Sequence, residues 1–324
     1  MEELEHFPEQ IKLVIILGPT ASGKSELAVR LAEGFSGEIV NADSMQMYRG
    51  MDIGTAKPSL DMQACIPHHL LGIIDPDQPF SAADFRREAE RAIRDIHARG
   101  KKVLVVGGTG LYIKALTGGL IDSPAGNDEI REELNRVASD LGNLELYDRL
   151  ARVDAVTAGK LHPNDVLRII RALEVYEMTG RPVSELRGQH RFRDAGGYCC
   201  LKLGIKADRA ELYGRIDDRV EWMMAHGLVE EVRGLLAKGY SPQLKSMRAL
   251  GYRQVCAYLA GEYSLDEAVR LIKRDSRHYA KRQMTWFRRD DEIKWFEYPA
   301  NIAIISSDVI EFYAKGEGYG KSTV

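Results

Sequence analysis

The 324-residue sequence predicts an α/β fold, a parallel sheet flanked by helices and interrupted by an inserted all-helical domain. Three observations predict it. Short, wholly apolar runs (Ile11 to Leu17, Val103 to Val106) alternate with segments of helical periodicity through the first third of the chain, as a parallel sheet buried on both faces requires. Between about Ile121 and Gly197 the apolar runs vanish and helical spacing alone remains. A strand-like run, Cys200 to Lys206, then resumes the sheet. The expected organisation is a core of residues 1–120 and 198–324 with a helical insertion at 121–197.

Taken in order, Ile11 to Leu17 is the first strand. Gly18, Pro19, Thr20, Ala21, Ser22, Gly23, Lys24 and Ser25 follow it and fit G-x-x-x-x-G-K-[ST] at every fixed position. Glu26 to Glu33 then reads as a helix closed by Gly34. Strand, glycine loop and helix form the context of a P-loop, so the sheet is expected to be P-loop NTPase-like. Glu38 to Asn41 and Leu70 to Ile74 read as further strands. Ser81 with Asp84 resembles a capping box opening a helix to about Arg99, ended by Gly100. In the insertion, Ile130, Leu134, Val137 and Leu141, then Val166, Ile169, Ile170 and Leu173, mark helical faces. Asp208 and Glu211 open helices that run to about Gly239 with a break near Gly227, and more helix covers about Arg248 to Phe287. Ile293 to Phe296 reads as a last strand and Val309 to Ala314 as a last short helix. The tail Gly316 to Ser322 imitates a P-loop but is one residue short between its glycines; it is expected to be a frayed terminus.

The chemistry follows from the strand ends. The P-loop amides curl into an anion nest, the helix amino end adds its positive dipole, Lys24 supplies a point charge and the Ser25 hydroxyl can hold Mg²⁺. A polyphosphate is therefore expected there. Asp43 falls where the second strand should end, on the ligand side of the sheet; it can bind Mg²⁺, accept a proton or merely cap a helix. Val103 to Val106 leads into Gly107, Gly108 and Thr109, with no strand-end aspartate of the kind that holds Mg²⁺ in ordinary P-loop ATPases. Neighbouring His68 and His69 on an extended segment point to opposite faces, so a structural or hydrogen-bonding role is expected of them.

A net charge of −3 argues against nucleic acid on average, but its distribution argues back. Between Lys273 and Arg289 every charge is basic except Asp275, with Tyr279, Trp286 and Phe287 interleaved. Cations among aromatics suit a phosphate backbone with stacked bases, although a solvated helix face has the same composition. Cys65, Cys199, Cys200 and Cys256 include no C-x-x-C pair, which points to reduced thiols, no zinc site and a cytoplasmic protein. No apolar run is of bilayer length, and Met1 to Gln10 is too acidic and polar for a signal peptide.

Together these segments resemble the tRNA dimethylallyltransferases. The resemblance runs through Gly18 to Ser25, Asn41 to Pro58, Pro67-His68-His69, Ser81 to Phe85, Val106 to Tyr112, His162 to Asp165, Arg171 to Val175, Gly251 to Gln254 and Lys281 to Arg288. It implies an enzyme that moves a dimethylallyl group from dimethylallyl diphosphate to the exocyclic amine of the adenosine 3′ of the tRNA anticodon. The P-loop, Gly18 to Ser25, would grip the diphosphate with Mg²⁺ on Ser25, and Arg219 is a candidate second clamp. Lys24 would stabilise the leaving group, Asp43 would act as general base and Thr109 would sit beside the diphosphate. The resemblance places tRNA contacts on Asp43, Ser44, Met45 and Gln46, on Thr109 and Arg131, and on Leu167, Arg168, Ile169, Ile170 and Arg171. It places more on Arg248, Ala249, Leu250, Gly251, Tyr252 and Arg253, and on Lys281, Arg282, Gln283, Met284, Thr285, Trp286, Phe287 and Arg288. The insertion would close over one side of the anticodon stem-loop and the basic carboxyl-terminal helices over the other. A cytoplasmic monomer with no membrane partner is expected.

Three alternatives share parts of this pattern. An ATP-dependent kinase would use the same P-loop, but the missing strand-end aspartate and the long Asn41 to Pro58 loop count against it. An isopentenyltransferase acting on free AMP needs neither the insertion nor the basic aromatic segment. A non-catalytic RNA-binding protein leaves the phosphate loop and Asp43 without a purpose.

Overall fold

The computed structural model describes residues 10–121, 123–189 and 197–315. The acidic start and the glycine-rich tail after Lys315 lie outside these residues, and with them the readings of a missing signal peptide and a frayed terminus. The described chain divides into two compact units, Gly118–Ala195 and the remainder.

The larger unit is built on one sheet of β1 (Ile11–Leu17), β2 (Gly37–Asn41), β3 (His68–His69), β4 (Lys102–Gly107), β5 (Tyr198–Lys206) and β6 (Ile293–Glu297). The spatial order is β3-β2-β4-β1-β5-β6 and every pairing is parallel. The side-chain period of two explains why the central runs are apolar throughout. Leu13, Ile15 and Leu17 face one layer, with Phe85, Ala89 and Ile93. Val14 and Ile16 face the other, with Leu27 and Leu31 and with Ile305, Val309 and Phe312. Each such aliphatic, fully removed from water, contributes about 1.5–3 kcal/mol.

The helices of this unit are α1 (Lys24–Phe35), α2 (Leu60–Cys65), α3 (Ala82–Ala98) and α4 (Gly110–Gly118), which ends at the unit boundary. The smaller unit holds α5 (Asp128–Leu141), α6 (Asn143–Val153), α7 (Ala155–Ala158), α8 (Val166–Thr179) and α9 (Val183–Gln189) around its own core of Leu134, Leu146, Leu150, Ile169 and Leu173. The larger unit resumes with α10 (Arg209–Ala225), α11 (Leu228–Ala237), α12 (Tyr252–Leu259), α13 (Leu265–Phe287) and α14 (Ile302–Ala314). A third apolar cluster in the larger unit joins Val220, Leu228, Val232, Tyr252 and Ile272 from α10–α13 to Tyr48 and Met51.

The Ser81 capping box forms as read: Ser81 Oγ accepts from the Asp84 amide and Asp84 accepts from the Ser81 amide. Three expectations are corrected. The strand expected at Leu70 to Ile74 is instead β3 at His68–His69, because Leu70 at φ 65° and Gly72 at φ 58° turn the chain back. Gly34 does not end α1; the left-handed turn falls at Ser36 (φ 52°), whose amide closes on Ala32 and Glu33. The last helix starts at Ile302, seven residues before the expected Val309, because Asn301 caps it by accepting from the Ala303 and Ile304 amides.

Candidate functional site

The site lies at the carboxyl ends of β1, β2 and β4, where an open parallel sheet leaves a crevice. β1 runs straight into the P-loop. Gly23 takes φ 81° at the turn into α1, a conformation that favours glycine. Lys24 opens the helix and donates to the Pro19 carbonyl at 3.2 Å. Burial lowers its ammonium to about 8, with the Asp43 charge acting to raise it and Arg219 to lower it further. Burial is the larger cause, so an anion held in the loop would offset what the charged lysine loses on leaving water. Ser22, also in the loop, is 1% exposed and its Oγ has no hydrogen-bond partner among the described residues.

The strand ends beside β1 are zipped together. A Cβ on Gly107 would stand 2.2 Å from the Ala42 carbonyl oxygen, so only glycine lets β4 and β2 close this far. The Thr109 amide donates to that carbonyl at 3.2 Å, and the Ser44 amide donates to Thr109 Oγ1 at 3.0 Å. Asp43 Oδ1 accepts from the Met45 amide at 2.9 Å, which makes it the pivot of a turn; no helix follows for it to cap. Tyr279 of α13 stands beside Thr109, and burial followed by the Asp43 charge raises its phenol well above the ordinary range. A cleft joins these parts, lined by Thr20, Lys24, Ser25, Asn41, Asp43, Gln46, Thr55, His68 and Arg219 among others. Asp43 is the only carboxylate among the described residues that line it.

The loop from Gly50 to Pro58 forms the far wall. Amides of Asp52, Ile53 and Gly54 converge on the Glu231 carboxylate at 2.9, 2.7 and 3.1 Å, and the Tyr252 hydroxyl donates to the same group. Gln46 Nε2 in turn donates to the Thr55 and Ala56 carbonyls, both at 3.1 Å. On the P-loop side, Arg219 Nη1 donates to Thr20 Oγ1 at 3.0 Å and Arg215 Nε to the Ala21 carbonyl at 2.8 Å. Burial lowers the Arg219 guanidinium, opposed by the Asp43 charge. The two arginines face one loop because they stand four apart on α10.

The family model of the IPP transferases matches residues 46–290, and that of the isopentenyl transferases matches residues 11–64. The chain belongs to the IPP transferase family. It is 65% identical to tRNA dimethylallyltransferase 2 of Geotalea uraniireducens, covering 94% of this chain and 98% of that one. It is 62% identical to tRNA dimethylallyltransferase of Geobacter sulfurreducens, covering 93% and 97%. Among solved structures it resembles the full-length tRNA isopentenylpyrophosphate transferase of Bacillus halodurans (38% identity, TM-score 0.69, covering 93% and 96%). It also resembles a eukaryotic dimethylallyltransferase described as acting on tRNA (28% identity, TM-score 0.80, covering 95% and 81%).

In this IPP transferase the residues expected at the nucleic-acid face divide by exposure. Lys281, Arg282, Thr285 and Arg288 on and just after α13 are exposed, as are Arg248 and Arg253; Met284, Ala249 and Leu250 are half-buried. Trp286 is 38% exposed and lies against Gly110, next to Thr109. The Phe287 ring is in the sheet core, with no face left for stacking on a base. Tyr252 is fully buried and its hydroxyl donates to Glu231. Gly251, at φ 91°, caps α12, with Gln254 accepting from its amide. Met45 packs on the helical cluster beneath. In the smaller unit the side chains of Ile169 and Ile170 are in the core, whereas Leu167 is 84% exposed. Arg168 pairs with Asp165 at 3.2 Å. Arg131 and Arg171 both bind Glu174. Burial pushes the Glu174 carboxyl up, but the Arg171 hydrogen bond, the Asn127 amide and the Arg131 charge together hold it below the usual range. Arg131 therefore ties α5 to α8, whereas Arg171, on α8 itself, also donates to Ser123 Oγ at 3.1 Å and to the Pro124 carbonyl at 2.8 Å, holding the segment before α5.

Sequence reading missed Arg215 and Glu231, and it named Tyr279 and His68 without placing either at the cleft. The i, i+4 spacing of Arg215 with Arg219, and of Tyr279 with Gln283, was the signal available for two of them. His68 and His69 do serve hydrogen bonding: His68 Nδ1 lies 2.7 Å from the Ile66 carbonyl oxygen, and His69 Nε2 lies 2.7 Å from Glu38. His68 also lines the cleft.

Proposed function

We propose that this protein transfers the dimethylallyl group of dimethylallyl diphosphate to the exocyclic amine of the adenosine 3′ of the anticodon in tRNA, releasing diphosphate. One observation carries the reading: a P-loop cradle faces a single strand-end carboxylate, Asp43, while the strand beside β1 ends in Gly107, Gly108 and Thr109 where a hydrolytic P-loop enzyme keeps an acid. The cradle grips a diphosphate without machinery to split a triphosphate. The relatives named for this reaction support the same assignment.

In the reaction the amine nitrogen attacks the first carbon of the prenyl group as the carbon–oxygen bond to diphosphate breaks. Charge grows on the leaving oxygen, so Lys24, the loop amides and Arg219 stabilise the transition state more than the ground state. Asp43 takes the proton lost by the amine. Thr109 holds the Asp43–Ser44 turn through its hydroxyl and stands beside the reacting groups. An anticodon-loop adenine reaches Asp43 only when extruded from its stack, and exposed Trp286 and the cations of α13 are suited to hold the splayed loop. Leu167 and Arg168 of the smaller unit are proposed as further RNA contacts. Mg²⁺ would fit here, because Ser25 opens onto the cleft and would supply one hard oxygen to it. No group of three or more His, Cys, Asp or Glu side chains able to hold a metal occurs among the described residues, which suits an ion carried in with its substrate. When bound, Mg²⁺ neutralises charge on the departing diphosphate. On this reading the enzyme works in the cytoplasm as a monomer. No described helix is long and apolar enough to cross a membrane.

The test is mass spectrometry of tRNA nucleosides after incubation with the enzyme and dimethylallyl diphosphate. A prenylated adenosine from the anticodon loop is expected. Phosphoryl transfer from labelled ATP to a small acceptor, with no prenylated nucleoside, overturns the reading.

A further inference from the structure

Gln283 lies within the RNA-facing segment of α13 but does not face RNA. It is 5% exposed, and its side-chain amide is fully engaged inside the protein. Its Oε1 accepts from the Thr20 amide of the P-loop at 2.9 Å, and its Nε2 donates to the Gly108 carbonyl at 2.9 Å. One rotamer flip would set donor against donor at Thr20 and acceptor against acceptor at Gly108, so only this orientation of the amide satisfies both loops. The approach is close: a Cβ on Gly108 would lie 2.2 Å from Gln283 Nε2. Thr20 is thus held on its amide by Gln283 and on its hydroxyl by Arg219, while Arg215 holds the Ala21 carbonyl.

We propose that Gln283 is a positioning residue of the diphosphate cradle rather than an RNA contact. It fixes the first half of the P-loop against the β4 turn, so that the remaining loop amides and Lys24 are already aimed when the anion arrives. The inference rests on the reading that the P-loop holds a diphosphate. It separates two properties that the segment Lys281 to Arg288 would otherwise combine. Lys281, Arg282 and Arg288 are exposed and meet RNA, whereas Gln283, on the buried face of the same helix, sets the donor site.

The substitutions Q283M and Q283E test it. The first keeps the length and removes both hydrogen bonds; the second keeps an acceptor for Thr20 but opposes a carboxylate to the Gly108 carbonyl and adds charge beside an anion site. Inorganic diphosphate with Mg²⁺, titrated calorimetrically, reports the cradle without the chemical step, and an anticodon stem-loop RNA reports the other site. Wild-type protein must bind diphosphate; if it does not, the reading of the P-loop fails, and this inference with it. Expected is a loss of diphosphate affinity of about tenfold in Q283M and more in Q283E, with RNA affinity and its salt dependence unchanged. The ratio of wild-type to Q283E diphosphate affinity should narrow as pH falls, because a protonated glutamic acid regains a donor for Gly108 and loses its charge. A general loss of packing would weaken both ligands together and show no such pH signature. Wild-type-like diphosphate binding in both variants, or a loss confined to RNA, overturns the proposal.

Discussion

Asp43 sits two residues beyond the end of β2, and its carboxylate already serves the backbone by accepting from the Met45 amide. That double duty shapes the test of its role. Asp43→Asn keeps an acceptor for Met45 but cannot take a proton, so single-turnover rates should fall by about 10²–10⁴-fold with tRNA affinity unchanged. A normal rate with weakened tRNA binding would make Asp43 a recognition residue instead. Trp286 and Phe287 form a second contrast between neighbours in sequence. Trp286→Ala should weaken binding of the anticodon stem-loop by about 1–3 kcal/mol with little change in melting temperature. Phe287→Ala should cost about 3–5 kcal/mol in a denaturation experiment, since its ring is 3% exposed and lies in the core. Sequence reading could name both aromatics but could not separate them, because one helical step of about 100° decides which faces solvent.

At the scale of the element, α13 sorts its own charges. Lys273 pairs with Glu221, Arg274 with Asp275 and Arg277 with Asp217. Lys281, Arg282 and Arg288 have no carboxylate partner among the described residues and stand exposed. The basic stretch is therefore one segment in the sequence and two in the fold: a neutralised half that packs on α10 and a free half available to phosphate. Replacing Lys281, Arg282 or Arg288 by Ala should each lower the slope of log affinity against log salt by about one unit or somewhat less, whereas Arg277→Ala should leave the slope unchanged. Equal slopes for all four variants would remove the phosphate contacts. The partners Asp217 and Glu221 lie more than fifty residues away in the chain, so nothing in local composition distinguishes the two halves.

For the molecule as a whole, the sheet edge opposite β6 is anchored by charge. Glu38 of β2 is 4% exposed and is bound by Arg99, just after α3, and by His69 of β3. The Arg99 hydrogen bond is the main cause that lowers its carboxyl from the usual 4.5 to about 2. A carboxyl lowered on folding contributes stability that is present above its unfolded value and lost as pH falls through its folded value. Glu38→Gln should therefore lose about 2 kcal/mol relative to wild type at pH 7, measured by urea denaturation, and the gap should close between about pH 4.5 and 2. A pH-independent difference would mean that shape, not charge, holds this edge.

The amino-acid sequence by itself determined the P-loop, the parallel sheet, the run of helices that became α5 to α9 and the candidate residues Lys24, Ser25, Asp43 and Thr109. These follow from fixed local spacings and from apolar runs that a sheet buried on both faces demands. It also placed the break near Gly227, where the chain takes φ 97° between α10 and α11. Only the tertiary structure decided which of the named residues turn inward. Phe287, Tyr252, Ile169 and Ile170 became core, Gln283 became a brace between two loops, and Arg131 and Arg171 closed on a buried Glu174. It alone brought Arg215 to the P-loop and Glu231 to the amides of Asp52, Ile53 and Gly54. The reason is physical: a motif records which groups are available along a few residues, whereas their partners are set by the packing of helices that lie nearly two hundred residues away in the chain.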